Sequence, residues 1–145
     1  MTGQEVNEMN NPLKMKICSV TLDCADADAL ADFYAALLGW EKNSADPAFI
    51  GVSVPGEMPV LWFQRVQGYR PPVWPEEPGA QQTMAHLDFV VNDIGKAIQH
   101  AVACGAMKSA KQFYADRWTV MFDPAGHPFC LGEYKAIFDE GVPSA

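Results

Sequence analysis

VTLDCADADALADFYAALLGW, residues 20–40, holds two periodicities in succession. Cys18, Val20, Leu22 and Cys24 alternate with Ser19, Thr21 and Asp23, as in a strand with one apolar face. The period then changes to that of a helix. Leu30, Phe33, Tyr34, Leu37 and Leu38 follow i, i+3, i+4 spacing, with Asp26 placed to cap the first turn and Gly39 to close the last. Strand-like pieces follow at 40–43, 49–54 and 59–66, the last two joined by a Pro55-Gly56 turn.

Working outward, the same order of events recurs from residue 83. Ala85, Leu87, Phe89 and Val91 alternate with His86, Asp88 and Val90. Asn92 or Asp93 can cap a helix with Ile94, Ala97, Ile98, Ala101 and Val102 on one stripe, and Gly105 ends it. Strand-like pieces follow at 107–112, 117–122 and 128–134, with Asp123-Pro124-Ala125-Gly126 as the turn. Asp26 and Asp93 lie 67 residues apart and the closing glycines 66 apart, so the halves are in register to within one residue. A repeat of that fidelity predicts two βαβββ modules. Their boundaries fall at 16–66 and 83–135, joined by a linker at 67–82 that carries several prolines and no periodicity. Residues 1–15 read as a loosely held arm and 136–145 as a tail; the modules together make one domain.

Composition narrows the function classes. The chain has 145 residues, 49% of them hydrophobic and 19% charged, with a net charge of −8. That sign opposes phosphate and argues against nucleic acid and anionic membranes as partners. No apolar run approaches the ~20 residues of a membrane span, and the start lacks the hydrophobic segment of a secretion signal. The expectation is a soluble, cytoplasmic protein. Cys18, Cys24, Cys104 and Cys130 form no CxxC pair and read as reduced, buried thiols.

Three segments together resemble the vicinal oxygen chelate superfamily, which includes glyoxalase I, bleomycin-resistance proteins and extradiol dioxygenases. They are residues 20–40, HLDFVVNDIGKAIQHAVACGA at 86–106 and RWTVMFDPAGHPFCLGEY at 117–134. FYAALLGW and DPAGHPF carry the resemblance most specifically, and the glyoxalase-like branch is the nearest in character. The resemblance implies an α+β fold in which two tandem βαβββ modules form an open U-shaped mixed sheet with helices outside. A ligand would lie in the concave trough, and a homodimer is expected.

The resemblance also implies metal ligands at four strand positions, one on the first and one on the last strand of each module. Laid over this sequence, those positions are Ser19, Trp62, His86 and Cys130; a one-residue shift in the last strands would bring in Leu61 or Phe129. A catalytic divalent site takes about three protein ligands and an open position. Here His86 is a good donor, Cys130 a second, Ser19 a weak one, and Trp62 cannot coordinate. The sequence therefore predicts no metal and no other cofactor, with a divalent metal as the second expectation.

Polar residues on an inner sheet face are costly unless hydrated or used. His86 and Asp88 leave the same strand face and could share a proton or a ligand, which makes them the candidate catalytic pair. Trp62 and Gln64 share a face of another strand, as a flat apolar wall and an orienting amide. With Ser19, Thr21, Trp118 and Cys130 they complete the expected ligand-binding set. Trp74, Tyr69 and Tyr114 are rim candidates, His127 reads as a turn residue and His100 as solvated. Two functions remain open. One is a binding protein for a small, partly aromatic organic ligand. The other is a lyase, isomerase or dioxygenase-type enzyme, either metal-free through His86 and Asp88 or metal-dependent through a differently aligned ligand set.

Overall fold

The computed structural model describes residues 13–138. Its elements run β1 (Ser19–Cys24), α1 (Ala27–Leu38), β2 (Glu41–Asp46), β3 (Phe49–Ser53), β4 (Val60–Arg65), β5 (Leu87–Val91), α2 (Ile94–Cys104), β6 (Met107–Lys108), β7 (Trp118–Phe122), β8 (Pro128–Glu133) and α3 (Tyr134–Phe138). The two halves form four-stranded sheets of identical order, β1-β4-β3-β2 and β5-β8-β7-β6. In each, the first strand runs parallel to the last and the remaining pairs are antiparallel. The fold is α+β, with two tandem βαβββ modules and open mixed sheets.

Local chemistry accounts for the helices. The Asp26 carboxylate accepts from the Ala29 amide, and Gly39, at φ 68°, closes α1 in the left-handed conformation. Asp93, rather than Asn92, performs the same capping at α2 through the Lys96 amide. Leu30, Phe33 and Tyr34 are buried as the stripe requires, whereas Val102 is 51% exposed because Ala101 supplies the packing side of α2. Cys18 also departs from expectation: β1 begins one residue later, which leaves that thiol exposed. The piece expected at 107–112 shortens to two residues, since Ser109 and Gln112 turn the chain with side-chain hydrogen bonds. Residues 67–82 form no helix or strand. The expected arm lies outside the described residues except for 13–15, and the tail except for 136–138, which belong to α3.

The core is shared between modules. Tyr34 of α1 stacks on Phe63 of β4 at 5.2 Å and meets Phe129 of β8 edge-on at 6.4 Å, and Phe33 reaches Phe129 at 6.0 Å. The Tyr34 hydroxyl donates 2.7 Å to the buried Asp123 carboxylate in the β7–β8 turn. Asp123 also accepts from the backbone amides of Ala125 and His127, and its Oδ2 lies 2.9 Å from His127 Nδ1. The linker docks on the same turn: the Tyr69 hydroxyl donates to the Ala125 carbonyl at 2.6 Å. Pro71 packs so close to Gly126, at φ 89°, that a Cβ there would meet it at 2.9 Å. His100, expected to be solvated, is exposed but places Nε2 3.0 Å from the Leu37 carbonyl, joining α2 to the end of α1.

Burial, reinforced by Asp123, holds the Tyr34 phenol well above its ordinary value, and burial raises Tyr69 as well. Burial lifts the Cys24 thiol to about 11. Each group stays protonated in the folded chain at a pH where the unfolded chain has ionised. Their contribution is therefore complete below the unfolded values and is lost as pH rises, from about 9 for the thiol and about 10 for the phenols. The unfolding free energy in urea should fall between about pH 9 and 11. Tyr34→Phe should flatten the decline above about pH 10 and cost roughly 1.5–3 kcal/mol at neutral pH through the lost bond to a carboxylate. A variant as stable as wild type at neutral pH would remove that role from Tyr34.

Candidate functional site

The parallel pairing of β5 with β8 sets Asp88 directly beside Cys130. His86 precedes β5 by one residue and projects to the same face as Asp88, because strand side chains alternate. His86 Nε2 lies 3.1 Å from Asp88 Oδ1, and the donor atoms of His86, Asp88 and Cys130 all fall within 4.8 Å of one another. The His86 and Asp88 side chains are 39% and 48% exposed, while Cys130 retains 9%. Burial, with the Asp88 charge added to it, pushes the Cys130 thiol up to about 12, so by itself it is a poor nucleophile at neutral pH.

These three residues form the floor of a cavity of about 420 Å³. Trp118 and Val120 of β7, Trp74 of the linker, and Phe113 and Tyr114 make its walls. Trp118 packs against Gly132: a Cβ there would meet the ring at 2.7 Å. Trp74 packs edge-on against Phe113 at 5.6 Å, and its indole Nε1 is buried with no hydrogen-bond partner among the described residues. Of the aromatic residues expected at a rim, Trp74 and Tyr114 line this cavity and Tyr69 lines another. Phe113 is an addition to that set, placed by an irregular segment whose sequence has no periodicity to read.

The first module arranges its candidates differently. Trp62 lies across Gly51, where a Cβ would approach the ring to 2.7 Å, and stacks on Phe49 at 4.7 Å with an interplanar angle of 7°. Gln64 donates to Asp23 at 3.3 Å. Thr21 lines a second cavity of about 410 Å³ with Asp23, Tyr69, Arg70 and His127. Ser19, Trp62 and Gln64 line neither cavity. Of the expected set, His86, Asp88, Trp118 and Cys130 therefore converge, and the four first-module residues do not join them in that cavity.

The registers also decide the alignment of the last strands. Thr21 pairs with Trp62 and Asp88 with Cys130, so Trp62 and Cys130 are equivalent and the shifted alternative falls away. An indole stacked on Phe49 has no lone pair to offer an ion. The residues at the superfamily's four ligand positions thus do not fit its metal.

Sequence reading passed over the Asp123–His127 pair, which proves the more buried of the two imidazole–carboxylate pairs: the side chains are 0% and 14% exposed. The i, i+4 spacing across a Pro-Ala-Gly turn was its one signal.

Two repeated βαβββ modules with these open sheets define a vicinal oxygen chelate fold. The pattern that defines the glyoxalase-like domain matches residues 19–132, and the chain belongs to that family. Among solved structures it is similar to a glyoxalase/bleomycin resistance protein/dioxygenase family enzyme from Burkholderia phytofirmans PsJN (20% identity, 82% of this chain and 98% of that one, TM-score 0.60). It is also similar to the trypanothione-dependent glyoxalase I of Leishmania major (14%, 86% and 90%, TM-score 0.60). A third is TnmS3, an antibiotic binding protein from Streptomyces sp. CB03234 (15%, 83% and 96%, TM-score 0.53). No curated protein sequence matches the chain.

The close approach at Gly132 yields a test of the cavity wall. Gly132→Ala should displace Trp118, change the near-ultraviolet circular dichroism and cost roughly 1–3 kcal/mol by overpacking. Unchanged aromatic dichroism and stability would show that the ring does not rest there.

Proposed function

We propose that the protein binds a small, partly aromatic organic molecule in the cavity over β5 and β8. The observation that carries this reading is an aromatic-walled space of about 420 Å³ over the His86, Asp88 and Cys130 side chains. Binding sites for small molecules are commonly apolar clefts of this size with a few polar groups for orientation. Trp118 and Trp74 offer aromatic walls for stacking. His86 and Asp88 stand at the floor to receive a further polar group. The superfamily's four-position metal has no part in this reading, because Trp62 cannot ligate. TnmS3, an antibiotic binding protein, is a precedent on the same fold.

An enzymatic reading draws on the 3.1 Å separation of His86 and Asp88, the geometry of an imidazole held for proton transfer. Such a reaction would be of lyase, isomerase or dioxygenase type, metal-free through this pair or assisted by a metal on another ligand set. Four free cysteines support a reducing, cytoplasmic setting, where neither nucleic acid nor membrane is the partner. The outer edges of β1 and β5, with Met15 and Ile17 82% and 74% exposed ahead of β1, support a homodimer. Light scattering that gives a monomer mass at all concentrations would exclude it.

Binding is tested by titrating aromatic carbonyl and phenolic compounds while following tryptophan fluorescence and melting temperature. Saturable binding is expected, lost in Trp118→Ala and weakened about five-fold in Trp74→Ala, the value of roughly one aromatic stacking contact. Trp62→Phe should bind as wild type does. Affinity that falls with Trp62 rather than Trp118 would place the ligand in the other module. Product formation abolished by His86→Ala, with binding retained, would favour the enzyme.

A further inference from the structure

We propose that the cavity between the end of β1, the linker and the β7–β8 turn is a second binding site, for a small aliphatic hydroxycarboxylic acid. The acid pairs its carboxylate with Arg70 and donates its hydroxyl proton to His127 Nε2. None of Ser19, Trp62, His86 and Cys130 lines this space of about 410 Å³, so it is separate from the superfamily's four ligand positions and from the cavity over β5 and β8. Its lining also differs in kind. Thr21, Arg70, Gln81 and Gln82 supply polar groups, and among the described residues Tyr69 and His127 are its only rings.

That His127 is an acceptor follows from where the neighbouring protons already go. The buried Asp123 carboxylate can only accept, so His127 Nδ1, 2.9 Å from its Oδ2, carries a hydrogen. In the neutral ring Nε2 then holds the lone pair. Tyr69 does not use it: its hydroxyl lies 3.4 Å away but donates its single proton to the Ala125 carbonyl at 2.6 Å. The imidazole is 14% exposed and its tautomer is fixed by a fully buried carboxylate. One acceptor is therefore held in one orientation, and a ligand O–H is the group that fits it.

The complementary charge comes from Arg70. Among the described residues no carboxylate is ion-paired with its guanidinium, and a guanidinium can bind a carboxylate through two parallel hydrogen bonds. Asp23, the one acid on the lining, is engaged by the Gln64 amide at 3.3 Å. One cation against one acid favours a monocarboxylate over a more highly charged ligand. The exposed edge of the cavity is strained: the Ala85 amide donates to the Thr83 carbonyl at 2.7 Å across Met84, at φ 62°, a rare form of three-residue turn. Strain of this kind persists where the surroundings fix it, and it collects at ligand clamps.

The test follows the imidazole nitrogens by NMR in the full chain labelled with nitrogen-15 histidine, at about pH 8, where an ordinary imidazole is neutral. The probes are 2-, 3- and 4-hydroxybutyrate, which set the hydroxyl at three distances from the carboxylate, and butyrate, which has none. His127, identified by its loss in His127→Asn, should show a protonated Nδ1 and an unprotonated Nε2. At least one hydroxybutyrate should bind saturably, shift His127 Nε2 and bind about five-fold more tightly than butyrate, the value of roughly one hydrogen bond. Arg70→Gln should weaken that binding roughly ten-fold or more. His127→Asn keeps an N–H donor for Asp123 and removes Nε2, so it should bind the hydroxybutyrate no better than butyrate. Far-ultraviolet dichroism establishes that both variants are folded; should His127→Asn not fold, Arg70→Gln and the wild-type shifts still decide. The inference is overturned by no saturable binding of any hydroxybutyrate, a proton on Nε2 of the free protein, or butyrate binding equally well. Affinity unchanged in Arg70→Gln, or shifts at His86 rather than His127, would overturn it too.

Discussion

One buried carboxylate, that of Asp123, sets how the two modules meet. A charge taken out of water is costly unless its lone pairs are used, and here they are used by groups from separate parts of the chain. The Tyr34 hydroxyl arrives from α1, two backbone amides come from the β7–β8 turn, and His127 Nδ1 stands at the remaining side. The turn that presents Asp123 is also where Tyr69 and Pro71 anchor the start of the linker. The linker's later aromatic, Trp74, then reaches the cavity wall. Thus a polar hub on one edge of the second module positions an apolar wall on its open face.

That hub explains why α1 rather than α2 is the more deeply buried helix. Phe33 and Tyr34 touch aromatic rings of both sheets, whereas α2 buries only Ala101 completely. Two repeats of the same order have divided the work unequally: the first supplies the helix that fills the shared core, and the second supplies the candidate site.

Most of the fold was legible in the sequence because it is written in periodicity and punctuation. Asp26, Gly39 and Gly105 mark helix ends by local rules that tertiary contacts did not override, and the 67-residue offset correctly aligned Thr21 with Asp88. The face shared by His86 and Asp88 was equally legible, since alternation along a strand is fixed by covalent geometry. What could not be read was anything that depended on chain returning from a distance. Tyr34 looked like one more apolar stripe residue; its bond to Asp123 spans 89 positions. Phe113 and Trp74 come from segments without a period, so only their packing places them on the cavity. The N-terminal limit of β1, which leaves Cys18 outside it, is a one-residue boundary of the kind that alternation alone does not set.

The unequal division of function between modules can be traced to where each puts its large ring. In the first module the ring is on the last strand, Trp62, and the glycine beneath it on the third, Gly51. In the second the arrangement is reversed: Trp118 is on the third strand and Gly132 on the last. The registers make Trp62 equivalent to Cys130 and Phe49 equivalent to Trp118, so the second ring sits one pleat further along. In the first sheet the central position is therefore occupied by the indole. In the second, the ring has moved aside and the same position holds a small sulfur beside a carboxylate and an imidazole. A flat aromatic tolerates only glycine under it, so either glycine ties its ring to one pleat. The choice of strand for one tryptophan in each module decides which sheet face carries the indole at its centre and which carries the candidate site.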